Sequence, residues 1–516
     1  MPKAPNWSGA ARTKRHLMRL SKVMERTGAR GELGSDPEVA VVTGDSRAVG
    51  PGAAFFALVG AKADGHLFAA EAARRGAVAV VAEREVACPP ALLLLAPSAR
   101  RAMAIAASNL FGRPGEAMKL AGVTGTNGKT TVTYLVEASA QAAGVPAAVL
   151  GTVTHRWPGG SRTASHTTPE STELAAILAT ARDAGARLAV LEVSSHALAQ
   201  ERAAGLAFDA AAFTNLTRDH LDYHGDLETY FRAKRRLFSD HLKPSGVAVV
   251  NADDPFGSRL AAEFELTRGG SSWRYGLRAG RELTALGARS GLSGIEAKLA
   301  TPAGTIALRS PLVGAHNLEN LLCAAGLALS AGLPRDAVER GLSTCPGAPG
   351  RLERIAARGV TAFVDYAHTD DALAHALSAL RALEPRRLLV VFGCGGDRDR
   401  GKRPLMGEAA GRAADLAVVT SDNPRTEEPE AIIAEIVPGL ERAGVPCLAA
   451  SRARAGDAGY VVVPDRREAI ALALSAARAG DAVLIAGKGH EDYQVVGVEK
   501  RPFDDREEAR RALGIV

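Results

Sequence analysis

The chain has 516 residues, 47% of them hydrophobic and 23% charged, the balance of an ordinary globular protein of about three domains. Its formal net charge of +6 is a thin excess and aromatics make up only 4%, which argues against a nucleic-acid partner. Five scattered cysteines with no Cys-x-x-Cys pair, and no apolar run near the roughly 20 residues of a membrane span, exclude a zinc ribbon, a disulfide scaffold and a spanning helix, and fit a cytoplasmic protein.

Residues 1–30 read as a basic extension ending in a short amphipathic helix, with Leu17, Leu20, Val23 and Met24 on one side. The extension has no continuous apolar stretch, so it does not read as a secretory signal. Apolar runs at 39–42, 55–58 and 77–81 read as strands, with a helix over 68–75, in a small α/β domain spanning 31–113. Arg113-Pro114-Gly115 is a linker. A buried strand over 120–123 opens a second domain, 114–346. It continues with a helix from Lys129, strands at 189–193, 210–213 and 247–250, strand-like alternation over 270–310, and a helix over 316–329. Pro346-Gly347-Ala348-Pro349-Gly350 marks the next break. Strands at 362–364, 388–392, 416–419 and 482–486 then build a third α/β domain over 347–516. Strands alternating with helices predict the α/β class, with mostly parallel sheets and crossover helices.

Gly125-Thr126-Asn127-Gly128-Lys129-Thr130-Thr131 lies between a predicted strand and a predicted helix, the setting of a phosphate loop. Backbone N–H groups and the helix N-terminus would hold phosphate oxygens, Lys129 would reach the outer phosphates, and Thr130 would ligate Mg²⁺. The match to the general loop pattern is imperfect, because Val123 stands where a glycine belongs and Gly122 is one residue early. Glu192, at the end of a later strand, suits a Mg²⁺ ligand beside Thr130.

This form of the loop is narrower than the general one. Asp45-Ser46-Arg47, Asp64-Gly65-His66, Glu192-Val193-Ser194-Ser195-His196 and Asn215-Leu216-Thr217-Arg218-Asp219-His220-Leu221-Asp222-Tyr223-His224 follow it or precede it in order. So do Asp365-Tyr366-Ala367-His368-Thr369, Gly393-Cys394-Gly395-Gly396-Asp397-Arg398-Asp399 and Gly487-Lys488-Gly489-His490-Glu491. With these motifs the chain resembles the Mur ligase family, the ATP-dependent amide ligases of peptidoglycan precursor synthesis. The resemblance covers all but about the first 30 residues. It implies a three-domain architecture with a central parallel sheet of P-loop ATPase type and a Rossmann-like C-terminal domain. It also implies an ADP-forming ligase that adds the third amino acid to UDP-N-acetylmuramoyl-L-alanyl-D-glutamate, with Mg²⁺, through an acyl phosphate.

The resemblance further implies roles for single residues. His220 would bind a second Mg²⁺. Lys234, in a helical stretch where a solvated basic face is the plain expectation, would carry a carbamate. Asn317, Arg351, Asp365 and His368 would face the nucleotide. Gly44, Ser46 and the loop Ala61-Lys62-Ala63 would touch the uridine diphosphate. His166, Thr167, Thr168, Ser194, Gln200 and Arg202 would hold the muramoyl dipeptide, His166 standing where asparagine is expected. Asp422-Asn423-Pro424-Arg425 resembles the version selecting meso-diaminopimelate, with Arg398, Gly487 and Glu491 framing the remaining polar groups. The physical logic is that a guanidinium can hold the extra distal carboxylate bidentately. A lysine-adding or other Mur-type ligase, a folylpolyglutamate-synthetase relative and a phosphate-loop binding module are the alternatives. Small-molecule substrates and a monomer are expected.

Overall fold

A computed structural model describes residues 16–515 apart from 33, 61, 62, 269–271 and 279. Most of the basic extension and the predicted site residues Ala61 and Lys62 therefore lie outside the described residues. The chain forms two compact units, 1–127 with 144–249 and 256–272, and 128–143 with 250–255 and 273–516.

The first unit holds two sheets besides the short pairing of Met18–Arg19 with Glu38–Val39. The smaller has four parallel strands in the order Val41–Thr43, Ala53–Phe56, Ala77–Ala82 and Leu92–Leu95. Its two central strands are buried on both faces, as parallel strands between helices must be, while the edge strands are partly exposed. Val42, Ala54, Phe56 and Val81 pack with Ala102, Met103 and Ala106 of the helix Ala99–Leu110. Phe55 and Val80, one residue out of phase, pack with Ala69, Ala72 and Ala73 of the helix Ala69–Arg74. The expected N-terminal helix is shorter, Leu20–Val23, and Leu17 is exposed. Leu20, Val23 and Met24 join the core of this sheet, and the Asn109 amide donates to Val23 O and Glu25 O at 2.9 and 2.7 Å.

The larger sheet has eight strands, in the order Gly160–Thr163, Thr154–Trp157, Ala147–Leu150, Leu188–Glu192, Lys119–Thr124, Phe208–Phe213, Leu242–Asn251 and Ser272–Tyr275. The pairs joining 147–150, 188–192, 119–124 and 208–213 are parallel, and the 154–163 hairpin adds an antiparallel edge.

In the second unit the helix Lys129–Ala142 packs against Ala315–Ser330 and Arg335–Thr344. The Gly341 Cα lies so close to the Ser139 backbone that no side chain fits there. A six-stranded sheet follows, ordered Glu353–Ala357, Val360–Asp365, Ala482–Ala486, Leu388–Phe392, Leu416–Val419 and Gly459–Val462. Its first pair is antiparallel and the rest are parallel. Among the described residues no helix is long and apolar enough to cross a membrane.

All three sheets deliver candidate residues at the carboxyl ends of parallel strands, where open α/β sheets bind ligands. Gly44 and Ser46 follow 41–43, Gly125 follows 119–124, Glu192 ends 188–192, Asp365 ends 360–365, Asp422 lies just past 416–419, and Gly487 follows 482–486.

Candidate active site

The phosphate loop is shaped by two glycines. Gly125 has φ +147° and its α-carbon lies against Thr214, so a side chain there would collide with the Thr214 hydroxyl. Gly128 has φ +90° and caps the helix from Lys129, a conformation costly for any residue with a Cβ. The loop is braced by 214–217. Thr126 N donates to Asn215 O at 2.8 Å, Asn127 N to Asn215 Oδ1 at 2.9 Å, and Thr214 Oγ1 to Asn127 O at 2.6 Å. The amides of Thr126 and Asn127 thus already donate within the chain. Thr130 and Thr131 are buried in the helix's first turn, and Lys129 is half-buried.

Glu192 is 1% exposed. Its carboxylate accepts from Thr152 N and Thr152 Oγ1, both at 2.9 Å, one on each oxygen. Those bonds fix the plane of the carboxylate. Thr152 had no motif to mark it and is a residue that the sequence did not yield. Its hydroxyl also lies 3.1 Å from that of Thr167.

Lys234 stands on the helix Leu227–Ser239, whose first turn is capped by the Asp226 carboxylate. It is not on a solvated face: it is 1% exposed, and its amine donates to Gly125 O at 2.7 Å and lies 4.4 Å from the centre of the Tyr230 ring. His220 has φ +52°, a left-handed strain in a non-glycine residue at the start of Leu221–His224. Its ring lies 4.9 Å from His196 and 6.1 Å from Tyr230. Behind it, His224 stacks on Tyr230 and pairs with Ser195 Oγ at 2.9 Å. Burial, then the neighbouring His196, pushes His224 down to about 4, so it stays neutral near pH 7. Among the described residues no three His, Cys, Asp or Glu side chains gather to hold a metal ion. The predicted ligand set has only two such side chains, Glu192 and His220, beside a hydroxyl and a lysine.

The predicted dipeptide contacts do come together. Thr168 Oγ1 donates to Glu192 O at 2.7 Å and accepts from Ser194 N at 3.0 Å. Arg202 donates to Thr168 O at 2.9 Å and to Gln200 Oε1 at 2.8 Å, and pairs with Glu170 at 2.7 Å. His166 is exposed and touches only its neighbour Ser165 among the hydrogen bonds described, at 3.2 Å. In the small sheet Asp45 caps Ser46–Ala48 and grips Arg47, whose guanidinium holds its carboxyl below the usual range. Gly44 packs so tightly on Leu58 and Met103 that a side chain would displace them, and Ala63 O accepts from Gly60 N at 2.9 Å.

In the second unit, Asn317 is buried and donates to Val313 O at 2.9 Å. Asp365 accepts from Leu352 N at 2.7 Å and Ala367 N at 2.9 Å; burial raises its carboxyl while Arg351 pulls it down. The Arg351 guanidinium lies 5.0 Å above the Tyr366 ring, and the His368 ring lies 4.7 Å from the same ring. Tyr366 thus gathers two predicted nucleotide contacts.

The residues predicted for the amino-acid end are the most heavily charged. Asp422 and Asn423 are each 6% exposed. Arg425 has φ +52°, and its backbone is tied to Val495 O and Gly497 N at 3.0 and 2.7 Å. Its guanidinium donates to Gly396 O at 2.7 Å. Gly395 separates it from Arg398, which is exposed. Asn423 donates to Glu491 Oε2 at 3.0 Å, and Gly487, at φ +119°, faces the Asp422 carboxylate. Pro424 is buried between Asn423 and Arg425.

Three family models match the chain in series: the Mur ligase family catalytic domain over 38–110, the Mur ligase middle domain over 123–328, and the Mur ligase glutamate ligase domain over 350–489. A relative from Geobacter sulfurreducens, named UDP-N-acetylmuramoyl-L-alanyl-D-glutamate–2,6-diaminopimelate ligase, is 47% identical over 96% of this chain and 98% of its own. A solved structure of an enzyme of that name is 36% identical, with a TM-score of 0.70 over 93% of this chain and 95% of the other. The Mycobacterium tuberculosis folylpolyglutamate synthase solved with ADP and AMPPCP is 21% identical with a TM-score of 0.57 over 79% of this chain and 94% of that one, a likeness of fold. The three domain matches and the near-full-length relative lead to one statement: the chain belongs to the Mur ligase family and has its three-domain α/β architecture.

Proposed function

We propose that this protein joins meso-diaminopimelate to the D-glutamate carboxylate of UDP-N-acetylmuramoyl-L-alanyl-D-glutamate, converting ATP to ADP and phosphate, in peptidoglycan precursor synthesis. The reading extends to a cytoplasmic monomer with domains at 31–113, 114–346 and 347–516 and with small molecules as its only substrates. The observation that carries it is the buried Lys234, whose amine meets the Gly125 carbonyl of the phosphate loop. A lysine hidden at a phosphate loop has no use on a solvated face and a clear one in a ligase.

Joining a carboxylate to an amine in water is uphill. The γ-phosphoryl group of ATP is transferred to a carboxylate oxygen, making an acyl phosphate. The amine then attacks the acyl carbon, the tetrahedral intermediate collapses, and phosphate leaves with the oxygen it received. Lys129 neutralises charge on the transferring group. Gly125 to Thr131 cradle the phosphates, with Asn317, Arg351, Asp365 and His368 on the rest of the nucleotide. Thr167, Thr168, Ser194, Gln200 and Arg202 orient the dipeptide, His166 marks its outer edge, and Gly44, Ser46 and the 61–63 loop take the uridine diphosphate.

Thr130, Glu192, His220 and Lys234 as its carbamate are the proposed Mg²⁺ ligands. The donors fit: three of the four are oxygens, which a hard cation prefers, and Thr152 locks the Glu192 carboxylate in place. When bound, Mg²⁺ supplies charge neutralisation at the phosphoryl oxygens. The carbamate forms when the Lys234 ammonium gives up one proton, the neutral amine attacks the carbon of CO₂, and the nitrogen of the new N–C bond releases a second proton, which together turn a cation into an anion.

The test is phosphate release from ATP. It should require the UDP-muramoyl dipeptide and meso-diaminopimelate together. Release with either alone, or with L-lysine as readily as with diaminopimelate, would contradict the reading.

A further inference from the structure

Lys488 has no part in the mechanism above, yet it is 0% exposed. An ammonium can be buried at that depth only if its charge and its three donors are matched. Its amine donates to Asn423 Oδ1 at 3.1 Å and lies 3.4 Å from Asp422 Oδ1 and 3.6 Å from Glu491 Oε2. All three partners belong to the proposed amino-acid pocket.

Two consequences follow from those distances. The first is orientation. Asn423 Oδ1 accepts from Lys488 and also from Val495 N at 2.8 Å. Two donors on one atom decide which end of the amide is oxygen. The amide nitrogen is thereby turned to Glu491 Oε2, 3.0 Å away. The second is charge. Asp422 and Glu491 bring two negative charges and Lys488 one positive. Arg425 stands beside Asn423 with its guanidinium turned to Gly396 O at 2.7 Å, the cation proposed for the distal carboxylate, and Arg466 is fully buried and neutralised by Asp505 at 2.7 Å, so neither offsets the acidic side. One negative charge is left over, the complement of one substrate ammonium.

We infer that Lys488 is a positioning residue of the amino-acid pocket, holding Asn423 and Glu491 in place and leaving the pocket one negative charge for an ammonium of diaminopimelate. This rests on the proposed ligase reading. Its role is upstream of contact: it acts on substrate through Asp422, Asn423 and Glu491.

The test compares wild type with Lys488→Met, which keeps the length and removes the charge, and Lys488→Gln, which keeps a donor. In each, kcat and the three KM values are measured with ATP, UDP-N-acetylmuramoyl-L-alanyl-D-glutamate and meso-diaminopimelate, alongside the melting temperature. The KM for diaminopimelate should rise about tenfold or more, the scale of a lost charge-assisted contact, while the other two KM values stay put. Lys488→Gln should lose less than Lys488→Met. An unchanged KM for diaminopimelate in variants of a wild type that ligates it overturns the inference alone. A parallel rise in all three KM values, or failure of both variants to fold, overturns it by placing Lys488 in the fold and not in the pocket. A wild type that does not ligate diaminopimelate overturns this inference together with the ligase reading.

Discussion

Around Glu192 the polar groups are mostly hydroxyls and imidazoles, while around Lys488 they are charges. Thr152 and Thr168 carry the hydrogen bonds at Glu192, and His196, His220 and His224 cluster beside Tyr230. At the other end Asp422, Lys488 and Glu491 lie within 3.6 Å of one another's charges through the lysine, with Arg425 alongside. Both regions sit at the carboxyl ends of parallel strands, so the scaffold is not what differs. The proposed occupants differ. Phosphates and a metal bring strong charge of their own, and neutral groups can orient them without fixing the total. Diaminopimelate and lysine differ by one carboxylate, so a pocket that tells them apart needs its own pattern of charge.

The comparison breaks most sharply at Lys234. Lys234→Ala should abolish ligation while the UDP-substrate still binds, as read by turnover and calorimetry. Near-normal turnover would show that the buried lysine at Gly125 O is part of the fold only. Lys129→Ala should slow turnover roughly a hundredfold or more, a loss of a few kcal/mol of charge stabilisation at the phosphoryl group. Loss of UDP-substrate binding in the same variant would indicate misfolding instead. Arg425→Ala should raise the KM for diaminopimelate by roughly tenfold to a few hundredfold, and narrow the gap to lysine without creating a good lysine ligase. Steady-state kinetics with both amino acids measures it, and unchanged diaminopimelate kinetics would contradict it.

The smallest effect is common to the two compact units, because each buries a neutral imidazole. Burial pushes His155 and His490 down to about 4, and neither His155 ring nitrogen has a hydrogen-bond partner among the described residues. Their folded values lie below the roughly 6.5 of an unfolded histidine, so the fold disfavours the protonated form. Their contribution to stability is complete above about 6.5 and is lost as pH falls toward 4. Melting should therefore weaken between pH 7 and 5, and His155→Phe should weaken less than wild type over that window. An equal or steeper loss in the variant would contradict the assignment.

Much of the scaffold was legible because parallel strands read as unbroken apolar runs. The runs at 388–392 and 416–419 match strands Leu388–Phe392 and Leu416–Val419, and 482–486 matches Ala482–Ala486. Strands with mixed faces were not: the hairpin Thr154–Trp157 with Gly160–Thr163 is half-buried, and Glu499–Pro502 is exposed throughout. The imperfect phosphate loop also has a structural reason. Val123, where a glycine was looked for, is a buried strand residue paired with Glu192, so the turn begins at Gly125. Single candidate residues stood out where a motif held them, as with Glu192 and Arg425. Thr152, Asn215 in its bracing role and the burial of Lys488 did not. Each depends on a partner 40 to 88 residues away, a distance that no local pattern reports.

The central claim is that this pocket selects an amino acid with a distal carboxylate and joins it to the muramoyl dipeptide. The most direct measurement offers wild-type protein meso-diaminopimelate and L-lysine at equal concentration, with ATP, Mg²⁺ and UDP-N-acetylmuramoyl-L-alanyl-D-glutamate, and reads the product by mass. The account predicts the diaminopimelate tripeptide as the dominant product. A mixture near equality, or a lysine product in excess, would contradict it.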